Sequence, residues 1–144
     1  MRNRKKSVMT PPVVSRLLHG HRTFLRTYGR SERKYLKELA SEGQAPGAMY
    51  IGCSDSRVSE DVITSSKPGT MFVHRNVANI VSFNDVNVAA LIEYGVTHLE
   101  IPDIVVCGHT KCGGIAAIED GVHENYIADW LLIASGIKDK VDRA

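Results

Sequence analysis

Two short apolar runs in this chain are each followed, a few residues later, by side chains that bind metal ions. The first run, residues 48–51, precedes Cys53, and the second, residues 104–106, precedes His109 and Cys112. Short continuous apolar runs are typical of strands buried in a parallel sheet. Because open α/β sheets place their sites at the carboxyl ends of strands, the pattern predicts that the three side chains converge. Two thiolates and an imidazole are a ligand set for zinc.

The remaining patterns alternate between helical and extended segments. Helices are predicted at residues 13–28, 31–40, 59–64, 84–96, 113–118 and 127–141, and strands at 48–51, 70–73 and 103–107. Gly29 and Gly43 are expected to end the first two helices. The alternation predicts an α/β fold with a parallel sheet and helices on its faces. The expected arrangement is Rossmann-like, with strand order 2-1-3, further strands missing or truncated, and an N-terminal helical arm.

The composition is that of one globular domain, since 144 residues carry 43% hydrophobic and 24% charged side chains. Residues 1–12 are predicted to be a disordered basic leader, followed by a single domain over residues 13–144. No stretch approaches the roughly 20 apolar residues of a membrane span, and no aromatic-interleaved basic motif suggests nucleic acid. Three cysteines without a secretory signal favour a reducing, cytoplasmic setting.

Two charged residues follow the first candidate ligand closely. Asp55 and Arg57 stand at alternate positions after Cys53, where they can form a two-pronged ion pair at the edge of the metal. Such a carboxylate could accept a hydrogen bond from metal-bound water, or bind the metal when Arg57 releases it. The third thiol, Cys107, lies within a predicted strand and is expected to point into the core, away from the site.

Several motifs in a fixed order resemble the β-class carbonic anhydrases of bacterial type. The resemblance runs from about Gln44 to Trp130 and rests on Cys53-Ser54-Asp55-Ser56-Arg57, Phe72-Val73-His74-Arg75-Asn76-Val77-Ala78-Asn79, Glu93-Tyr94, Val106-Cys107-Gly108-His109 and Cys112-Gly113-Gly114. It implies reversible hydration of carbon dioxide to bicarbonate and a proton by zinc-bound hydroxide.

The resemblance also implies a role for each site residue. One Zn²⁺ per chain would be held by Cys53, His109 and Cys112, with Asp55 as a further ligand in a closed state. Asp55 and Arg57 would form the catalytic pair, and Gln44 would hydrogen-bond a substrate oxygen.

A second anion site and an assembly follow from the same resemblance. Arg75 matches an arginine of a non-catalytic bicarbonate site, in which Tyr50 stands where those relatives carry tryptophan. Family members form dimers or higher oligomers, and the apolar stripe of the first predicted helix is consistent with a homo-oligomer.

The resemblance further implies that the family domain continues beyond the last predicted helix with another strand and helices. The C-terminal part of the family domain is therefore expected to be absent, leaving a bare strand edge. Two alternative functions remain open: a weak or inactive zinc-binding, bicarbonate-responsive homologue, and a hydrolase of carbon disulfide or carbonyl sulfide.

Overall fold

The computed structural model describes residues 12–141 and 143 of the chain. The predicted leader, residues 1–12, lies outside the described residues apart from Pro12. The chain divides into two compact units, Met1–Glu42 and Gly43–Ala144.

The described part of the first unit, residues 12–42, contains two helices, as predicted. These are α1 (Val13–Thr27) and α2 (Arg30–Glu42). The Arg33 guanidinium donates hydrogen bonds to the carbonyl oxygens of Leu25, at 2.6 Å, and Tyr28, at 3.1 Å. An arginine thus ties the end of α1 to the start of α2.

The second unit is built on a three-stranded parallel sheet of order β2-β1-β3. The strands are β1 (Ala48–Cys53), β2 (Met71–Asn76) and β3 (Asp103–Cys107). The central strand is the most buried, because its apolar side chains are covered from both sides. β2 runs three residues farther than predicted, since its last residue pairs with Cys53 in the ladder.

Four helices and a short turn complete this unit. They are α3 (Glu60–Thr64), a 3₁₀ turn (Val77–Asn79), α4 (Val86–Thr97), α5 (Gly113–Asp120) and α6 (Asn125–Val141). The Asp85 carboxylate caps α4 by accepting from the Asn87 N–H at 3.0 Å. In the described residues, no helix combines the length and apolar character needed to cross a bilayer.

Glycine allows α4 to approach the sheet. A β-carbon at Gly95 would collide with the tip of the Met49 side chain, which is fully buried on β1. The close approach sets α4 against the centre of the sheet.

A small core joins the end of the sheet to the last two helices. Its buried members are Cys53, Ala78, Ile80, Cys112 and Leu131. The Trp130 indole N–H donates a 2.8 Å hydrogen bond to the carbonyl oxygen of Val77, which ties α6 to the 3₁₀ turn. The two candidate cysteine ligands therefore belong to the packed interior, while His109 is partly buried in the segment after β3.

The expectation that β3 is buried is wrong for the described part of the chain. Ile104, Val105 and Val106 remain 50%, 44% and 54% exposed. The physical reason is position, because β3 is an edge strand that pairs with β1 on one side only among the described residues.

An apolar groove lies beside this edge. It encloses about 510 Å³, and its lining includes Val106, Ile115, Ile118, Ile137 and Val141. We call it the β3–α6 groove.

Candidate metal centre

Cys53, His109 and Cys112 converge at the carboxyl ends of β1 and β3, as the sequence predicts. One potential ligand atom from each lies within 4.8 Å of the others. The two sulfur atoms are 3.8 Å apart, and the cysteines are only 7% and 6% exposed. All three cysteines of the chain are free thiols. The group is thus a compact, buried set of three donors.

This geometry fits a tetrahedral zinc ion. Two sulfurs bound to one zinc at about 2.3 Å in a tetrahedron stand roughly 3.8 Å apart, which matches the separation of the thiols. Three protein ligands leave one position open, as in catalytic rather than structural zinc sites.

The histidine is oriented as a ligand. Its Nδ1 lies 3.0 Å from the carbonyl oxygen of Thr110, which can only accept, so Nδ1 carries the proton. Nε2 then presents a lone pair, and this buried atom has no hydrogen-bond partner in the structure. A buried polar atom without a partner is costly, and a metal ion would satisfy it.

The surroundings favour the thiolate form that metals require. Burial alone would raise the pKa of Cys53, but His109 and the backbone N–H groups of Asp55 and Ala78 outweigh it and lower the pKa to about 7. The interaction with Cys53 in turn raises the pKa of His109. These two shifts describe the site without metal, where the Cys53 thiolate and a protonated His109 imidazolium stabilise each other. A metal ion would displace that proton and bind the neutral tautomer.

Local backbone geometry delivers each ligand. Cys53 is the last residue of β1, and the next N–H, of Ser54, still bonds the Asn76 carbonyl oxygen at 2.8 Å. Cys112 occupies the N-cap position of α5. Lys111, directly before it, has a left-handed conformation with φ of 56°, which turns the chain between the last two ligands.

The predicted ion pair is formed in the loop after β1. We call residues 54–59, which join β1 to α3, the site loop. Arg57 Nε and one terminal nitrogen contact the two oxygens of Asp55 at 2.9 and 2.6 Å. Arg57 also donates to the Lys111 carbonyl oxygen at 3.0 Å, so it links the two ligand-bearing segments. This pairing holds the pKa of Asp55 well below its usual range.

The Asp55 carboxylate faces the metal ligands. Its Oδ2 lies 3.8 Å from His109 Nε2, and its side chain is 16% exposed. The carboxylate is therefore partly shielded from solvent and stands at the edge of the three-donor group.

The remaining sequence-predicted residues lie around this centre. Gln44 is exposed in the segment before β1, and Cys107 is half-buried and outside the three-donor group. Tyr50 is buried, which together with Cys107 raises its pKa to about 12. The Arg75 guanidinium lies under the site loop, bonded to backbone oxygens. A bicarbonate site at Tyr50 and Arg75 stays a prediction.

Sequence reasoning missed Asn76, the last residue of β2, as a side chain that shapes the site. The Asn76 amide donates to the Ile80 carbonyl oxygen and accepts from the Ile80 N–H, both at 2.8 Å. This pair of bonds closes the 3₁₀ turn whose Ala78 packs beside the thiols. Asn76 stands in a motif that the resemblance singles out, but nothing in its spacing indicated this clamp.

Comparison with known proteins agrees with this geometry. Residues 48–144 match the protein family described as carbonic anhydrase. A carbonic anhydrase of Candida albicans is 39% identical over 100 residues, which cover 69% of this chain and 35% of the relative. One of Emericella nidulans is 37% identical over 116 residues, covering 81% of this chain and 50% of the relative. The chain thus spans half or less of the length of these curated relatives.

Solved structures extend the likeness to the fold. A β-carbonic anhydrase of Aspergillus fumigatus superposes with a TM-score of 0.83 at 35% identity, covering 90% of this chain and 62% of that one. A tetrameric β-carbonic anhydrase of Sordaria macrospora gives 0.80 at 38% identity, covering 92% and 69%. With a matching family over two thirds of its residues and the same donors at its strand ends, the chain belongs to the β-class carbonic anhydrases.

Proposed function

We propose that this chain catalyses the reversible hydration of carbon dioxide to bicarbonate and a proton. The observation that carries the proposal is the Asp55 carboxylate, clamped by Arg57 and standing 3.8 Å from the metal-facing nitrogen of His109. A purely structural zinc site needs no such acid at its open edge.

The proposed cofactor is one Zn²⁺ per chain, held by Cys53, His109 and Cys112. Zinc, when bound, lowers the pKa of a water molecule to about 7 and supplies a nucleophile at neutral pH. The chain holds the two thiols at 3.8 Å and fixes the imidazole through the Thr110 carbonyl oxygen, so the ligand set is largely preformed.

Asp55 is proposed to orient the attacking water. Because Arg57 keeps its carboxylate ionised, Asp55 accepts a hydrogen bond at neutral pH and directs the oxygen lone pair towards the substrate carbon. Were Arg57 to release it, the same carboxylate could reach the metal, which is the proposed closed state.

Arg57 supports this role through two sets of hydrogen bonds. It binds both oxygens of Asp55 and the Lys111 carbonyl oxygen, and therefore fixes the carboxylate relative to the segment that carries His109 and Cys112. Gln44, in the exposed segment before β1, is proposed from the family resemblance to hydrogen-bond a substrate oxygen.

The test is stopped-flow hydration of carbon dioxide, with zinc per chain determined on the same purified sample. We expect about one zinc per chain and rapid hydration that zinc-binding anions inhibit. Stoichiometric zinc with hydration at the buffer rate would instead identify a non-catalytic zinc-binding homologue. Hydrolysis of carbon disulfide or carbonyl sulfide without hydration of carbon dioxide would identify the other alternative.

We propose in addition that the chain forms a homo-oligomer and acts in the cytoplasm. The similar protein of Sordaria macrospora is described as tetrameric, and three free thiols suit a reducing compartment. Light scattering coupled to size exclusion gives the number of chains, and a monomer at all concentrations would contradict the first part.

A further inference from the structure

Arg75 makes an unusual set of contacts beneath the site loop. Its Nε donates to the Cys53 carbonyl oxygen at 2.8 Å, and one terminal nitrogen donates to the carbonyl oxygens of Asp55, at 2.7 Å, and Val58, at 2.6 Å. The other terminal nitrogen lies 3.5 Å from Oε2 of Glu60, the first residue of α3. One side chain on β2 therefore contacts two residues of the site loop and the residue that flanks it on each side.

These contacts take the place of the backbone hydrogen bonds between β1 and β2, which end where the site loop begins. After the Ser54 N–H bonds β2, the loop backbone turns away, and the Val58 N–H bond to the Asp55 carbonyl oxygen closes a tight turn at 3.1 Å. The carbonyl oxygens of Cys53, Asp55 and Val58 therefore converge on one guanidinium, and without it their partial negative charges would repel each other. A planar guanidinium, with several donors in fixed directions, stabilises such a convergence better than a point charge.

The consequence for the site is geometric. Fixing the carbonyl groups of Cys53 and Asp55 fixes the backbone that carries one metal ligand and the carboxylate beside the metal. The Asp55 side chain then binds Arg57 on its own loop, while the guanidinium of Arg75 binds the Asp55 backbone carbonyl.

We propose that Arg75 is a positioning residue of this centre, which acts through the site-loop backbone to place Cys53 and the Asp55 carboxylate. The expected change in kcat rests on the proposed function, whereas the expected change in the amide exchange of the site loop does not. Glu60 assists by facing the guanidinium with a buried carboxylate oxygen. Arg75 does not touch the reacting atoms.

The test compares three variants by amide hydrogen exchange and by kinetics of the zinc-loaded protein. Arg75→Met removes all the donors, Arg75→Lys keeps the charge without the planar fork, and Arg33→Met removes a matched arginine that binds two carbonyl oxygens in the first unit. We expect Arg75→Met to speed exchange in the peptide covering residues 53–60, with β3 and α4 unchanged.

The same variant is expected to lower kcat by about 10- to 100-fold, the usual cost of losing a group that orients metal ligands. Zinc affinity should fall by about tenfold, since Cys53 loses its backbone support. Arg75→Lys should give a smaller loss of both, and Arg33→Met should match the wild type. If Arg75→Met does not fold, Arg75→Lys carries the same comparison.

Three results would overturn the proposal. The first is an Arg75→Met variant whose amide exchange rate in residues 53–60 and whose kcat are both within twofold of the wild type. The second is faster amide exchange throughout the sheet in that variant, which would mean that Arg75 has a general stabilising role. The third is loss of bicarbonate inhibition with an unchanged loop, which would make Arg75 an anion ligand. An inactive wild type would remove the proposed function, yet local exchange in residues 53–60 would still support the loop contact.

Discussion

Two neighbouring regions of the second unit, the metal centre and the β3–α6 groove, differ in how their side chains are held. At the ligand-bearing edge, Cys53 and Cys112 are 7% and 6% exposed, and the side chains of Asp55, Arg57 and Arg75 beside them form short hydrogen bonds. At the β3–α6 groove, apolar side chains stand open, with Val106 54% and Ile137 59% exposed. Hydrogen bonds fix the geometry of the first region, whereas the second is an open apolar surface without comparable directional contacts.

The difference shows what the metal centre depends on. Its geometry is set by β1, the site loop and the segment before α5, each linked to the next by hydrogen bonds. The β3–α6 groove contributes packing at the margin. Substitutions at the first region should therefore affect chemistry and stability far more than equivalent substitutions at the second, and four measurements test this.

The largest contrast is expected between two cysteines. Cys112→Ser should reduce zinc from about one per chain to near zero and abolish hydration, because a serine hydroxyl is not a zinc ligand of comparable strength. Cys107→Ser, on β3 and outside the donor group, should keep both. Metal analysis after dialysis provides the measurement, and full zinc in Cys112→Ser would remove that residue from the ligand set.

A second contrast uses two aspartates. Asp55→Ala should keep most of the zinc but lower kcat by about 10²- to 10⁴-fold, the range for losing a positioned acid or base. Asp103→Ala, at the exposed start of β3, should leave kcat unchanged. Stopped-flow rates on samples with measured zinc decide the outcome. Equal rates for Asp55→Ala and wild type would exclude the proposed role of the carboxylate.

A third contrast uses neighbours in the ladder. Ile51 is fully buried and Val106, its partner on β3, is half-exposed. Ile51→Ala should lower the free energy of unfolding by about 2–5 kcal/mol, and Val106→Ala by under about 1 kcal/mol. Urea denaturation of the zinc-loaded proteins measures both. Similar losses would show that the β3 face is covered in solution, and the comparison between the two regions would fail.

The smallest effect concerns pH. The pKa of Cys53 without metal is lowered to about 7, so the thiolate predominates above that pH and zinc must displace a proton below it. Zinc affinity should therefore fall by about tenfold per pH unit below 7 from this group alone. Competition titrations with a chelator at pH 8 and pH 6 measure the change. Cys107→Ser should show the same dependence, and an affinity independent of pH would contradict the shifted pKa.

Much of this architecture could be read from local patterns. The bounds of β3 were predicted correctly, and α4 begins two residues after its predicted start at residue 84. Gly43 ends α2 with a φ of 83°, a conformation that glycine adopts without strain. These features depend on neighbours in sequence, and the convergence of the three ligands followed from one general rule about the ends of parallel strands.

Other features depend on partners distant in sequence. Ala78 and Asn79 have φ values of 65° and 44° without being glycine, and the Asn76 amide holds the turn that they form. The family resemblance assigned Arg75 to an anion site, whereas the positions of the carbonyl oxygens that it binds could not be predicted from the sequence. The exposure of β3 likewise depends on what lies beside it, which its own apolar residues do not reveal.

The hydrogen bond between Trp130 and Val77 gives the protein an intrinsic fluorescent probe. Trp130 is the sole tryptophan of the chain, and its indole N–H is bonded to the turn that packs Ala78 beside the thiols. Its emission wavelength therefore reports whether α6 remains attached at the metal centre. A red shift that precedes the loss of far-ultraviolet circular dichroism would reveal detachment of this helix before the sheet unfolds.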